Sequence, residues 1–421
     1  MSFFLFLTFL LLVTSCGEKT DAGLKTGDKL KTGAEMLVAS DFELVKGKNV
    51  GVITNHTATV GGDRHIVDLM YESPHVNLVA LFGPEHGIRG EVPAGDPVDF
   101  AIDEATGLPV HSLYGEVRAP TAAMLEGIDV LIFDIQDIGA RFYTYISTMG
   151  KSMEAAARHD LSFVVLDRPN PIGGEKVEGP VREPGFTSFV GYFPVPVTHG
   201  LTVGELAIMA REEGMLAGVE DLDLHVIPMN HWDRSSLWPD HGRPWNPPSP
   251  NIPDFETALI YPGACFFEGL RASEGRGTRE PFIQLGTPWA DGEALAGDLN
   301  ARDIPGLRFE PVSFTPESIP GMAIRPKYRG TKVHGVRYVV TDKYVVRPLE
   351  AGIHVIDAFY RQAPDHEKER FFDKARFGRL AGSNRLYELF TGEADVEEII
   401  DSWSDDVIEF EKLRRNYFLY H

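Results

Sequence analysis

The chain has few cysteines and few basic residues for its length, and both shortages limit what it can be. Only two of its 421 residues are cysteine, so a disulfide framework or a cysteine-based zinc site is excluded. Forty Lys and Arg residues against 62 Asp and Glu residues give a net charge of −22. This charge disfavours binding to nucleic acid or to anionic lipid. An anionic ligand would therefore need a few cations placed locally around it.

The sequence also lacks the motifs of nucleotide-dependent and zinc enzymes. The turn after the first predicted strand, Thr54–Thr59, does not contain G-x-G-x-x-G, and neither a phosphate loop nor H-E-x-x-H occurs. We therefore expect no cofactor and no metal. A hard cation held by Asp134, Asp137 and Asp167 remains the alternative, because carboxylates at strand ends also bind such ions.

The first sixteen residues are similar to the signal peptide of a bacterial lipoprotein. Phe3–Val13 is an apolar run that is too short to span a bilayer. It leads into Leu12-Val13-Thr14-Ser15-Cys16, which resembles a lipobox. We expect cleavage before Cys16, a lipid on its thiol, and a place in the cell envelope, on the periplasmic face of the outer membrane as Gly17 favours. A plain secretory peptide is the alternative. The second cysteine, Cys265, is expected to pack in the core.

We predict helices at 121–126 and 396–413, and one that begins with the capping box of Thr202 and Glu205. Short apolar strands alternate with helices along the first half of the chain. This alternation predicts a Rossmann-like parallel sheet with both faces covered. Prolines crowd residues 247–253, where neither a helix nor a central strand can form. The mixture of predicted strands and helices after this segment indicates a smaller α+β domain. We divide the chain into a signal peptide with its lipidated cysteine (1–16), a polar tether (17–33), a Rossmann-like catalytic domain (34–250) and a C-terminal domain that completes the active-site cleft (251–421).

Polar clusters follow each of the first four predicted strands. They are Thr54-Asn55-His56-Thr57, Gly83-Pro84-Glu85-His86-Gly87, Asp134-Ile135-Gln136-Asp137 and Asp167-Arg168-Pro169-Asn170. The carboxyl ends of parallel strands lie at one edge of the sheet, and ligands bind there. Glu85 stands between Pro84 and Gly87 in a constrained turn, which favours a catalytic role; capping of the next helix is the alternative. For Arg141, the alternative to ligand binding is a salt bridge to Asp137, four residues earlier.

These motifs, taken in order, resemble the exo-β-N-acetylmuramidases of glycoside hydrolase family 171. The likeness runs from about Gly33 to the C-terminus and includes Arg141-Phe142-Tyr143-Thr144-Tyr145, Val177-Glu178-Gly179-Pro180, Pro248-Ser249-Pro250-Asn251 and Ser273-Glu274-Gly275-Arg276-Gly277-Thr278. The resemblance implies a nucleotide-free Rossmann-like domain and exo-acting release of N-acetylmuramic acid from the non-reducing end of peptidoglycan fragments. Leu270-Arg271 departs from the Thr-Asn pair of the family pattern, which affects a contact near the sugar.

The resemblance also implies roles for single residues. Glu85 is the first catalytic candidate and Glu268 its partner, since a glycosidase commonly needs two carboxyl groups at the bond that it cleaves. Asp137 and Glu178 are the alternative candidates for the second catalytic carboxylate, and His86 would orient a substrate hydroxyl. Arg141, Arg168 or Arg276 would grip the lactyl carboxylate of muramic acid. The expected substrate-binding residues are Asn55, Gln136, Arg141, Tyr143, Asp167, Arg168, Asn170, Glu178, His199, Asn251 and Arg276.

Two other functions remain open at this point. A lipoprotein that binds muropeptides without cleaving them would use the same cleft, although the presence of both Glu85 and Glu268 favours an enzyme. A metal-dependent hydrolase of another substrate class would lose its activity with a chelator.

Overall fold

The N-terminal half of the chain forms a mostly parallel sheet. The computed structural model describes residues 29–84, 87–89 and 101–421. Strands in the N-terminal half of this part are β1 (Asn49–Thr54), β2 (Thr59–Val60), β3 (Arg64–His65), β4 (Asn77–Gly83), β5 (Ala101–Ile102), β6 (Pro109–Ser112), β7 (Val130–Asp134), β8 (Ser162–Leu166) and β9 (Leu224–Ile227).

Seven of these strands form one sheet in the order β5-β6-β4-β1-β7-β8-β9, whereas β2 and β3 pair separately. All neighbours in the large sheet are parallel except β5, which runs antiparallel to β6. The six parallel strands have the order of doubly wound dinucleotide-binding folds, with the reversal of strand order between β1 and β7. The Rossmann-like prediction is confirmed.

Helices cover both faces of this sheet, which explains why its central strands are apolar throughout. They are α1 (Gly33–Ala39), α2 (Ile66–Glu72), α3 (Thr144–Arg158) and α4 (Val203–Glu212). Side chains of β7 alternate between two apolar clusters, with Phe133 in one and Ile132 in the other. The predicted capping box of Thr202 and Glu205 begins α4.

The C-terminal half is a smaller α+β unit, as predicted. Its three-stranded antiparallel sheet has the order β10-β12-β11, with the bounds β10 (Gln284–Thr287), β11 (Leu307–Phe314) and β12 (Val333–Val340). Its helices are α5 (Phe255–Ala264), α6 (Gly292–Ala301), α7 (Pro348–Gln362), α8 (Asp365–Lys368), α9 (Lys374–Ala381), α10 (Arg385–Thr391), α11 (Val396–Asp401) and α12 (Ser404–Arg414).

The two halves share a hydrophobic core, and the end of the chain returns to the first half. One apolar cluster contains Phe133 of the parallel sheet together with Phe266 and Phe359 of the C-terminal half. The Tyr420 hydroxyl donates to Asp167 Oδ2 at 2.6 Å. This continuous packing holds the two halves in a defined relation.

The structure corrects three sequence-based predictions about the elements. The tether was predicted to reach residue 33, but Leu30 is buried and Lys31 pairs with Asn230, so the folded body begins earlier. The helix predicted at 121–126 is a single 3₁₀ turn, and the long helix predicted at 396–413 is two helices, α11 and α12. None of the helices in the described residues is long and apolar enough to cross a membrane.

Candidate active site

The loops that follow β1, β7 and β8 meet at the carboxyl edge of the sheet, as the sequence predicts. Thr54 Oγ1 donates to the Asp134 carbonyl at 3.0 Å. The backbone N–H of Gln136 donates to Thr57 Oγ1 at 3.0 Å, and its Nε2 donates to the Pro169 carbonyl at 2.8 Å. These hydrogen bonds make the three loops one connected surface.

The fourth cluster, which contains Glu85 and His86, lies outside the described residues except for its ends. It follows β4 in the chain, and Gly83, the last residue of β4, pairs with Ser112 of β6. The catalytic roles of Glu85 and His86 therefore stay predictions from the sequence.

A cavity of about 560 Å³ lies between the two halves of the molecule, and we call it the interdomain cleft. Its size suits a small ligand such as a sugar. Among the described residues, one carboxylate, Glu268, and three arginines face a wall of aromatic rings. The lining residues are Tyr114, Arg118, Phe142, Tyr143, Thr144, Tyr145, Ser188, Phe189, Val190, Ser249, Tyr261, Glu268, Arg276 and Arg379.

Glu268 is the carboxylate that the described residues bring to the cleft, and two arginines hold it. It lies in the 3₁₀ turn Cys265–Gly269, which follows α5 directly. Its carboxylate oxygens accept hydrogen bonds from Arg276 and Arg376, each at 2.8 Å. Burial alone would raise the pKa of Glu268, but the two guanidinium groups outweigh burial and lower that pKa below its usual value. The two ion pairs therefore favour the ionised form of Glu268, which suits a base or nucleophile better than a proton donor.

Arg276 presents a fixed positive charge beside Glu268. Its guanidinium also lies 3.9 Å from Glu274 and 5.1 Å from the centre of the Phe282 ring. Gly275, which precedes it, has φ +77°, and a Cβ there would lie 2.5 Å from the Gln284 carbonyl oxygen. Only glycine fits this turn, so the predicted glycine-flanked arginine has a physical reason.

Arg379 and Arg118 bring two more cations to the cleft. Arg118 donates to the Gly115 carbonyl at 3.2 Å and lies 4.8 Å from the centre of the Phe189 ring. Arg379 extends from the last turn of α9, and within the described residues no hydrogen bond or ion pair occupies its guanidinium. The sequence analysis missed both residues, since no motif or spacing connects them to the other cleft residues.

Arg141 is not a ligand-binding arginine, contrary to the prediction. Its side chain is fully buried and donates to the backbone carbonyls of Pro180, Val195 and Leu380 at 2.7–2.8 Å. Burial lowers the pKa of Arg141 to about 9. No salt bridge to Asp137 forms either, so both predictions for Arg141 are wrong. Because Leu380 belongs to α9, Arg141 ties the two halves together.

Arg168 is paired, and it faces a different cavity. Its Nε and Nη2 atoms donate to the two carboxylate oxygens of buried Asp134, the second at 3.0 Å. It lines a cavity beside the cleft rather than the cleft itself. Across the described part of the chain, no group of three or more His, Cys, Asp or Glu side chains is arranged to hold a metal ion.

Asp167 supports the fold and was wrongly predicted to bind substrate. Its fully buried carboxylate accepts hydrogen bonds from the Thr202 hydroxyl, from the N–H of Gly204 and from the Tyr420 hydroxyl. Burial raises the pKa of Asp167 to about 6, against the lowering effect of these donors. The carboxylate therefore fastens the start of α4 and the chain terminus to the sheet.

Glu178 and His199 are likewise buried away from the cleft, so neither matches its prediction. Glu178 Oε2 accepts the backbone N–H groups of Leu349 at 2.9 Å and Glu350 at 3.2 Å in the first turn of α7. Burial raises the pKa of Glu178 to about 7. Burial also lowers the pKa of His199 to about 3, and its Nδ1 accepts the Leu201 N–H.

Asp137 and the three asparagines predicted to bind substrate brace loops. Asp137 Oδ2 accepts the N–H two residues on at 2.7 Å, and burial raises its pKa to about 7. The Asn55 side chain likewise holds its own turn, and Asn170 donates to the Leu201 carbonyl. Asn251 donates across to a carbonyl of the C-terminal half at 2.8 Å. None of these four side chains lines the cleft.

Similarity to known proteins identifies the family of the chain. Two family models, described as the N-terminal and C-terminal parts of exo-beta-N-acetylmuramidase NamZ, match residues 50–256 and 259–420. The chain belongs to this family. It is 43% identical over 376 residues to the peptidoglycan beta-N-acetylmuramidase NamZ of Bacillus subtilis strain 168, covering 89% of this chain and 88% of the relative.

Two solved structures share the fold of this family member. Both are DUF1343 family proteins of Bacteroides fragilis NCTC 9343. One is 40% identical with a TM-score of 0.86, over 93% of this chain and 99% of the other. The second is 33% identical with a TM-score of 0.75, over 94% and 99%.

Five of the predicted site residues in the described part of the chain line a cavity. Glu268, Arg276 and Tyr143 lie together in the cleft, whereas Gln136 and Arg168 line the neighbouring cavity. At the departure from the family pattern, Leu270 is buried and Arg271 is exposed. Neither of them lines the cleft.

Proposed function

We propose that the chain is an exo-acting glycosidase that releases N-acetylmuramic acid from the non-reducing end of peptidoglycan-derived fragments. The observation that carries this proposal is the interdomain cleft, where an ionised carboxylate, Glu268, stands among arginines and aromatic rings. Membership of the exo-β-N-acetylmuramidase family supports the same reaction.

The charge state of Glu268 decides whether it can donate a proton or instead act as a base or nucleophile. Hydrolysis of a glycoside passes through a transition state with positive charge on the sugar ring, and one carboxyl group must also protonate the leaving oxygen. An ionised Glu268 stabilises that positive charge or activates the attacking group. We propose that the proton comes from Glu85, because it follows β4 closely in the sequence.

The arginines of the cleft suit the anionic part of the substrate. Muramic acid carries a lactyl carboxylate, and a guanidinium binds a carboxylate through two parallel hydrogen bonds. Glu268 already occupies part of Arg276, whereas Arg379 has no partner within the described residues. We therefore assign the lactyl carboxylate to Arg379, with Arg276 beside it. This assignment meets the need for local cations in a protein of net charge −22.

The test is turnover of a chromogenic N-acetylmuramide by the purified protein, compared with the matching N-acetylglucosaminide. The proposal predicts release of the chromophore from the muramide and little release from the glucosaminide, which lacks the carboxylate. Binding of the muramide without any release would instead support the muropeptide-binding lipoprotein. Activity that disappears with a chelator would support the metal-dependent hydrolase.

We also propose that Cys16 carries a lipid that anchors the enzyme in the bacterial cell envelope, on the periplasmic face of the outer membrane. The support is the apolar run that leads into Leu12-Val13-Thr14-Ser15-Cys16. Cys16 lies outside the described residues. An anchor would keep the enzyme close to the fragments that cell-wall turnover produces.

A further inference from the structure

A second cavity of about 780 Å³ lies beside the interdomain cleft, and we call it the tryptophan cavity. Its walls come from the loops after β1, β7 and β8, from the start of the folded chain and from the loop that contains Trp238 and Trp245. The lining residues are Lys29, Leu30, Lys31, Glu35, Thr57, Thr59, Gly61, Gly62, Gln136, Arg168, Trp238, His241, Gly242, Arg243, Pro244, Trp245 and Asn246.

The tryptophan cavity occupies the place where this type of sheet binds ligands. Thr57 follows β1 and Gln136 follows β7, and strand order reverses between these two strands. In open α/β sheets the crevice at this reversal is the usual ligand site. The chain has no phosphate-binding motif here, which disfavours a nucleotide as the ligand of this cavity.

Two buried polar groups on the cavity lining lack partners. Gln136 is 3% exposed, and its Nε2 makes two hydrogen bonds while its Oε1 accepts none within residues 29–84, 87–89 and 101–421. Trp238 is 8% exposed, and its Nε1–H likewise has no acceptor within those residues. An unsatisfied buried polar group is unfavourable, so these two groups favour a polar ligand at this wall of the cavity.

The remaining lining combines aromatic rings with positive charge. Trp245 packs edge-on against Trp238 with ring centres 5.2 Å apart, and its Nε1 donates to the Ile252 carbonyl, which fixes its orientation. Lys29 and Lys31 are exposed at the rim, and neither forms an ion pair with another described residue. Two unpaired lysines beside tryptophan rings suit a ligand that carries both a carboxylate and a sugar ring.

One segment of the chain contributes to both the tryptophan cavity and the cleft. Trp245 and Asn246 line the tryptophan cavity, whereas Ser249 lines the cleft. The Tyr145 hydroxyl holds the segment by donating to the Pro248 carbonyl at 2.6 Å. One extended ligand could therefore reach both cavities by crossing residues 246–249.

We propose that the tryptophan cavity is a second carbohydrate site, which binds a further carboxylate-bearing N-acetylated sugar of the same fragment. This inference rests on the proposed function. Muramic acid alternates with N-acetylglucosamine along a peptidoglycan strand, so a longer fragment presents a second lactyl carboxylate away from the bond being cleaved. Its hydroxyl and acetamido groups lie towards Gln136 and Trp238, and Lys29 and Lys31 face the carboxylate. A stem peptide has the acid groups but no ring to lie against the tryptophans.

The test compares a short and a long substrate in a variant of the cavity rim. Lys29→Glu/Lys31→Glu should leave kcat/KM for the chromogenic monosaccharide unchanged and raise KM for an alternating tetrasaccharide by about tenfold or more. Lys48→Glu/Lys332→Glu makes the same charge change at exposed positions that line neither cavity, and it should alter neither substrate. Equal effects of the rim variant on both substrates, or no effect on the tetrasaccharide, would overturn the proposal.

Binding measurements separate this proposal from the proposed function, because they need no turnover. Calorimetry with N-acetylmuramic acid should detect two sites in the unaltered protein and one in the rim variant. Two sites retained in the rim variant, or a second site that takes an acidic dipeptide and not the sugar, would refute the carbohydrate site. A protein that binds two sugars but never cleaves the muramide would refute the proposed function alone.

Discussion

The replacement Glu268→Gln tests the assignment of the ionised carboxylate. Glutamine keeps the shape of the side chain and one acceptor oxygen but removes the negative charge that Arg276 and Arg376 now hold at 2.8 Å. A unit charge about 4 Å from the developing positive charge on the sugar contributes about 4 kcal/mol at an effective dielectric constant of about 20. Since about 1.4 kcal/mol corresponds to a tenfold change in rate, we expect kcat to fall by about 10²- to 10³-fold.

The stability of the same variant separates catalysis from structure. The amide keeps a hydrogen bond to one guanidinium, so the free energy of unfolding should fall by only about 1–3 kcal/mol. The measurements are kcat with the chromogenic muramide and a melting curve of the same preparation. A variant that turns over within about threefold of the unaltered enzyme would falsify the assignment and reduce Glu268 to a residue that positions Arg276.

The pH dependence gives a second readout of the same carboxylate. Arg376 lowers the pKa of Glu268 but does not line the cleft. Arg376→Ala should therefore raise that pKa and move the acid limb of the kcat profile to higher pH, because the ionised form is lost earlier as pH falls. Arg370→Ala, which removes an exposed arginine paired with Glu367, is the control and should leave the limb in place. An unmoved acid limb in Arg376→Ala would contradict the role of the ionised form.

Four further predictions concern single replacements. Arg379→Ala should reduce the preference for muramide over glucosaminide by about 30-fold or more, measured as a ratio of kcat/KM values. Glu85→Gln should lower kcat by about 10²- to 10⁴-fold with little change in melting temperature. Glu178→Gln should stabilise the protein at pH 8 by up to about 3 kcal/mol and have little effect at pH 4, measured by melting. Cys16→Ala should release the protein from the membrane fraction, measured by fractionation and mass spectrometry.

The sign of the Glu178 effect follows from its raised pKa. Folding favours the protonated form, whose pKa is about 7 in the folded protein against an ordinary value of 4.5. The stability that this group contributes is complete below the unfolded value and is lost as pH rises through the folded value. Glutamine cannot ionise, so it keeps the two hydrogen bonds to α7 without that loss.

Each of these predictions has an outcome that contradicts it. Unchanged selectivity in Arg379→Ala would indicate that Arg276, and not Arg379, binds the lactyl carboxylate. A Glu85→Gln protein that melts early but turns over normally would make Glu85 a helix cap. A Glu178→Gln protein less stable than the unaltered chain at pH 8 would show that the native carboxyl is ionised there. Membrane association that persists in Cys16→Ala, with no lipid by mass spectrometry on the unaltered chain, would remove the anchor.

The sequence alone determined the architecture, because periodicity and caps are local. Continuous apolar strands such as Val130–Asp134 identify a sheet covered on both faces, and Thr202 with Glu205 identifies the start of α4. The glycines on either side of Arg276 marked a turn that no other residue fits. Each of these signals depends on neighbours within a few residues, which the chain order shows directly.

The role of each charged side chain was decided only by tertiary structure. Arg141 stands in a polar motif, yet its guanidinium is occupied by carbonyls up to 239 positions away in the chain. Glu178 caps a helix 171 positions later, whereas Arg379, in a segment without any motif, reaches the cleft without a partner in the part of the chain that the structure describes. A buried charged side chain must have hydrogen-bonding or ionic partners, whereas an exposed one is solvated by water. Whether a side chain is buried depends on segments that meet only after folding. Sequence therefore placed the polar clusters at one edge of the sheet, and packing separated those that bind a ligand from those that hold the fold.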